Sequence, residues 1–167
     1  MKTLLAGCAI ALLSMSTAFA GTLGRPAGET LLTITGAIAN PNVDGVAEFD
    51  LAMLDALESR AAAMETPWTE GRTAFDGPLL RAVLDAAGAK GKTLIVKALN
   101  DYSAEVPMDD AHKYPTILAI RMNGTEMSVR DKGPLFMIYP FDAHPELYNE
   151  KYFSRSVWQI REIEVVD

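Results

Sequence analysis

Asn123-Gly124 falls between two β-rich runs, residues 116–122 and 125–128. Both residue types accept positive φ, so the pair predicts a two-residue hairpin turn between antiparallel strands. Further strands are expected at 31–38, 93–99, 103–106, 135–139 and 156–166, where β-branched and apolar residues run between turn signals. A weak strand or a connection is expected at 61–66. A short one at 72–75 is read as ended by Asp76-Gly77-Pro78. Helical spacing is sparse. Asp50 suits an N-cap before Leu51, Leu54 and Leu57; Leu79, Leu80, Val83 and Leu84 share one side of a second helix stopped by Gly88. A helical turn is expected at 108–114. Strands outnumber helices, so the class is α+β with a mixed or antiparallel sheet and few short helices.

The first twenty residues are set aside from the fold. Lys2 is followed by an apolar stretch too short to span a bilayer, and Ala18-Phe19-Ala20 is a small-residue cleavage signature. This reads as a Sec-type signal peptide, residues 1–20, cut after Ala20 and followed by one domain at 21–167. Leu5-Ala6-Gly7-Cys8 has the form of a lipobox, but the apolar stretch ahead of it is too short for an h-region. The expected product is therefore periplasmic, with no direct membrane insertion. Cys8 is the only cysteine. The mature chain then has no disulfide, thiolate nucleophile or thiolate metal ligand. Fourteen of the 15 Lys and Arg and all 22 Asp and Glu follow residue 20, a net −8. An acidic chain without a basic tract is a poor partner for nucleic acid.

Polar residues crowd two places. Arg130-Asp131-Lys132-Gly133-Pro134 precedes the apolar run Leu135-Phe136-Met137-Ile138-Tyr139, and Asn100-Asp101-Tyr102 ends the strand at 93–99. Charges gathered in a loop at the mouth of a buried strand can meet a polar ligand edge. They can equally form a structural ion-pair knot, and Asn100-Asp101 can be plain turn residues. No catalytic motif accompanies them. Ser154 and Ser156 lack a nearby base. His112 and His144 have no ligand pattern around them, and Asp109-Asp110 reads as a helix start or a solvated pair, so no metal site is expected.

Six segments in order resemble the oxidoreductase molybdopterin-binding domain of the sulfite-oxidase superfamily: Phe49-Asp50-Leu51, Pro67-Trp68, Phe75-Asp76-Gly77-Pro78-Leu79-Leu80, Asn100-Asp101-Tyr102-Ser103, Val129 to Pro134, and Ser154-Arg155-Ser156-Val157-Trp158-Gln159. The resemblance implies that family's fold over most of the chain. Enzymes of the family hold molybdenum through a cysteine ahead of the position matched by Pro67-Trp68. Here that segment is Ala61-Ala62-Ala63-Met64-Glu65-Thr66, with Met64 at the ligand position. A neutral thioether replaces an anionic thiolate poorly. Secreted, cysteine-lacking versions of the domain resemble periplasmic pterin-binding regulators of PruR type. That resemblance implies a reduced pterin as ligand rather than molybdopterin, and no catalysis. It also implies a partner, the periplasmic part of an inner-membrane protein that makes and degrades cyclic diguanylate. The alternative is a periplasmic molybdopterin-dependent oxidoreductase.

A pterin presents a flat bicycle with two adjacent N–H donors beside a carbonyl. A site for it needs a carboxylate, a donor for the 4-oxo group and an aromatic face. Asp131 is the first candidate carboxylate and Asp101 the second, with Arg130 flanking. Asn100 offers donor and acceptor, and Arg155 or Lys132 could meet the 4-oxo oxygen. Trp68, Tyr102 and Trp158 are candidate stacking surfaces. Against this, Trp68 and Trp158 can be core, and Arg155 can cap a sheet edge. The expectation is one cavity shared by Asp131, Asp101 and Trp68.

Overall fold

The computed structural model describes residues 23–167; the expected signal peptide and Cys8 lie outside these residues. The central element is a five-stranded mixed sheet. Its strands are β1 (Leu32–Gly36), β2 (Ala47–Phe49), β5 (Thr93–Ala98), β6 (Ser103–Pro107) and β11 (Ile160–Val166), in the order β2-β1-β11-β5-β6. Strands β1 and β11 run parallel, Ile34 opposite Ile163, and the other neighbours are antiparallel. Alternation decides the faces. Leu32, Ile34, Leu94, Val96, Ile163 and Val165 point into the core, each almost wholly buried. On the opposite face Lys97 Nζ donates to Glu162 at 2.9 Å and Glu164 at 2.7 Å, and these bonds raise the lysine pKa.

A second layer covers the buried face. It holds β3 (Ser59–Glu65), β4 (Arg72–Pro78), β7 (Ile117–Ala119), β8 (Arg121–Met122), β9 (Thr125–Glu126) and β10 (Phe136–Ile138). Strands β3-β4-β8-β9 form one sheet and β10-β7 another. The β8–β9 turn is Asn123-Gly124, both at positive φ, as expected. The run at 116–122 is not one strand, however. Its first half pairs with β10 and its last two residues with β4 and β9. Nor does Asp76-Gly77-Pro78 end a strand, since β4 runs through Pro78. A Cβ on Gly77 would lie 2.1 Å from the Leu118 carbonyl oxygen, so this glycine marks a close backbone crossing rather than a turn.

Four α-helices decorate the sheets: α1 (Leu51–Asp55), α2 (Leu80–Ala87), α3 (Met108–Lys113) and α4 (Glu150–Arg155). Asp50 caps α1 as expected. One carboxylate oxygen accepts from Met53 N at 2.9 Å; the other accepts from Ala27 N at 2.8 Å and Gly28 N at 2.9 Å. These amides hold its pKa below the usual carboxylate value. Helix α2 buries Leu80, Val83, Leu84 and Ala87 and stops at Gly88, φ 66°. Helix α4 had no hydrophobic signal to betray it: none of its six residues is fully buried. Its start is fixed by the Asn149 side chain, which accepts from Lys151 N at 3.1 Å. The final strand begins at Ile160, not Ser156, so Trp158 lies in an extended segment before it and Arg155 ends a helix.

Candidate functional site

A cleft of about 360 Å³ opens at the end of the five-stranded sheet, where β5 turns into β6. Its size falls within the roughly 300–1,000 Å³ of small-molecule pockets. Ala98, Ser156 and Val157, each 2% exposed, make the floor. Trp68, Phe153 and Trp158 make the walls, and Asn100, Tyr102, Glu150 and Ser154 make the exposed rim. The walls brace one another edge to face. Trp68 meets Phe153 at 5.6 Å and 78°, Trp158 at 6.0 Å and 69°, and Phe136 beneath at 5.5 Å and 70°. Such pairs add about 0.5–1.5 kcal/mol each beyond area burial, which keeps two large rings from collapsing into the cleft. The turn carrying Trp68 is set locally: the Thr66 and Thr69 hydroxyls bond at 2.7 Å, and Trp68 N donates to Thr66 Oγ1 at 3.3 Å.

Four expected residues therefore meet in one cleft: Trp68, Asn100, Tyr102 and Trp158. Five do not line it. Asp131 accepts from Ser128 Oγ at 2.7 Å, closing its own turn. That turn is pinned by Gly133, where a Cβ would lie 1.9 Å from the Met127 carbonyl oxygen. Arg130 is exposed beside it. Asp101 sits in a left-handed conformation, φ 64°, its side chain 92% exposed and 3.7 Å from Arg161. Lys132 stands 4.7 Å from the Trp158 ring centroid, a cation–π contact, and is not among the lining residues. The expected grouping of Asp131, Asp101 and Trp68 in one cavity is thus corrected: only Trp68 reaches it.

Arg155 serves a different purpose. Its Nη1 donates to Asp110 Oδ2 at 2.8 Å, and the same oxygen accepts from the fully buried Tyr139 hydroxyl at 2.7 Å. Asp110 is therefore not a solvated partner of Asp109. It is a buried carboxylate tying α3, the residue after β10 and the end of α4 together. Burial, reinforced by the Asp110 charge, pushes the Tyr139 phenol well above its usual pKa. This network fixes α4, which supplies Glu150, Phe153 and Ser154 to the cleft. Sequence reading missed Glu150 and Phe153 because α4 itself was missed; Asn149 as an N-cap was the one available signal.

Met64 is 1% exposed on β3 and faces a second cavity of about 350 Å³, together with Arg72, Phe141, Asp142 and Tyr148. No helix among the described residues is long and apolar enough to cross a membrane.

Compared with known families, residues 44–167 match the model of the oxidoreductase molybdopterin binding domain. The chain belongs to this family. The mixed sheets and few short helices are those expected of an α+β member, and no curated protein gives a significant match. Members of this oxidoreductase molybdopterin-binding family take a pterin-containing cofactor, and the residues here suit its two halves unequally. The cleft offers a flat ring the aromatic wall of Trp68, Phe153 and Trp158. For the metal-bearing half the fit fails: the matched residues contain no cysteine, Met64 is neutral and buried, and no cluster of three or more His, Cys, Asp or Glu is found among the described residues.

Proposed function

We propose that this chain is a periplasmic, non-catalytic pterin-binding protein that reports ligand occupancy to a membrane partner. The observation that carries the reading is the indole-walled cleft in a molybdopterin-binding domain that has no thiolate to anchor molybdenum. The ring lies against the aromatic wall of Trp68, Phe153 and Trp158, and its polar edge stays at the rim among Asn100, Tyr102 and Glu150. A reduced pterin is the ligand. Sensing needs neither nucleophile nor metal. It requires only that the ligand favour one state of the protein–partner complex over the other. The resemblance to cysteine-lacking regulators supports the periplasmic part of an inner-membrane cyclic-diguanylate enzyme as that partner. Anaerobic equilibrium dialysis of the purified protein against 6-methyltetrahydropterin, read as the fluorescent pterin formed when each chamber is afterwards oxidised, tests the reading. Wild type retains the pterin; Trp68→Leu loses most of it with an unchanged far-ultraviolet circular dichroism spectrum. Equal retention by both would overturn the site.

The family match itself favours one other reading, a molybdopterin-dependent oxidoreductase whose metal is held through the cofactor's own sulfurs. Elemental analysis decides: near-stoichiometric molybdenum in the purified protein would replace the sensory reading.

A further inference from the structure

The cleft's hydrogen-bonding groups are unequally spent. Ser154 Oγ donates to the Lys151 carbonyl at 2.9 Å, Ser156 Oγ to the Tyr152 carbonyl at 2.8 Å, and the Tyr102 hydroxyl to the Ser154 carbonyl at 3.0 Å. Each hydroxyl has thereby committed its single proton and keeps only acceptor lone pairs. Asn100 Oδ1 accepts from Tyr102 N at 3.2 Å, leaving its NH2 as a donor. The Glu150 carboxylate is the one acid on the lining and bonds to no other described residue. The unspent capacity is therefore two carboxylate oxygens and the lone pairs of three hydroxyls, set against the Asn100 amide and the indole N–H groups. A ligand that fits this inventory presents adjacent N–H donors beside one carbonyl.

We propose that Glu150 is the specificity-determining residue of the cleft, reading the 2-amino-4-oxo edge of a fused pyrimidine through its 2-NH2 and N3–H groups. The assignment rests on the pterin reading given above and adds what the cleft discriminates. Two adjacent donors match the two oxygens of one carboxylate, a bidentate pair with charge assistance. A 2,4-dioxopteridine turns a carbonyl toward the same carboxylate in place of the amine. Two acceptors then face each other with no proton between them, and that mismatch is what excludes the analogue. Glu150 stands on the first residue of α4, whose far end is fixed through Arg155 to buried Asp110, so its Cα is held although its side chain is exposed. Lys132, against the Trp158 ring, lies outside the lining and does not compete for the acid.

Fluorescence titration of wild type and Glu150→Gln with 6-methylpterin and 6-methyllumazine tests the assignment, with guanosine as competitor. Wild type is expected to prefer the pterin by roughly tenfold or more, a ratio worth about 1.4 kcal/mol. Glu150→Gln offers one oxygen and one NH2, so it is expected to lose about tenfold on the pterin and to narrow or invert the preference. Glu150 is exposed and bonded to no other described residue, so the variant folds. A pterin-to-lumazine ratio unchanged by Glu150→Gln would overturn the role of Glu150 while leaving the cleft as a pterin site. Failure of wild type to bind either pteridine here and 6-methyltetrahydropterin in anaerobic dialysis would overturn the pterin reading and this inference together. Competition by guanosine as strong as by pterin would keep Glu150 as reader of the edge but assign the cleft to purines.

Discussion

Replacing Tyr139 by Phe removes one oxygen from the buried network that holds α4. The ring is fully buried and its outline hardly changes, so no cavity opens and the cost is the hydrogen bond alone. That bond runs 2.7 Å to a carboxylate, and bonds to charged groups contribute about 1.5–3 kcal/mol. Asp110 keeps Arg155 at 2.8 Å, which holds the loss within that range. For a domain of this size the loss lowers Tm by about 2–4 °C per kcal/mol, or roughly 3–12 °C. Urea and thermal unfolding followed by circular dichroism measure it. The same residue sets an alkaline limb. Its phenol titrates higher folded than unfolded, so its stabilisation is complete below the ordinary tyrosine value of about 10. Above that the unfolded chain releases a proton that the folded one retains, and stability falls as pH rises. Tyr139→Phe lacks this contribution and should fall less steeply. A variant matching wild type both at neutral pH and on the alkaline limb would refute the network as the fastening of α4.

Arg155→Met should cost more than Tyr139→Phe. It leaves a buried carboxylate short of its cation, a loss of about 3 kcal/mol, at the lower end of the range for broken buried pairs because the two side chains are 17% and 11% exposed. Double-mutant unfolding with Tyr139→Phe should show coupling, since both donate to one oxygen. Asp50→Asn should flatten the acid limb of stability. The carboxyl is held below its ordinary value, so its contribution is present above about pH 4 and fades as pH falls through the lower folded value; parallel acid titrations of unfolding measure this. Gly77→Ala should cost at least about 1–3 kcal/mol by urea unfolding, because its Cβ would meet the Leu118 carbonyl oxygen rather than a yielding side chain.

What could be read in advance depended on whether a residue's reason was local. The Asn123-Gly124 turn, the Gly88 helix stop and the Asp50 cap on Met53 N are each made within a few residues, and each does in the fold what its chemistry suggests; the bonds from the distant Ala27 and Gly28 amides to Asp50 left no such trace. Gly77 looks identical to a turn glycine in sequence, yet its reason is a strand forty residues away. Asp131 looked like a ligand carboxylate because it was crowded by charge, but its near neighbour Ser128 satisfies it first. Trp68 and Trp158 do line the cleft, since large aromatics with a polar handle suit few other places at a loop. Glu150 could not be foreseen: α4 packs no side chain deep enough to leave a periodic trace, and without the helix its acid is one of many.

Helix α4 forms a cleft wall while contributing no fully buried side chain to the core. Its attachment combines the Arg155–Asp110 bond with the partly buried rings of Tyr152 and Phe153, which pack against the core. Substitution of its exposed residues, such as Glu150, can therefore reshape the rim of the cleft without jeopardising the folding of the sheets beneath, whereas Arg155 carries the helix's fastening to Asp110.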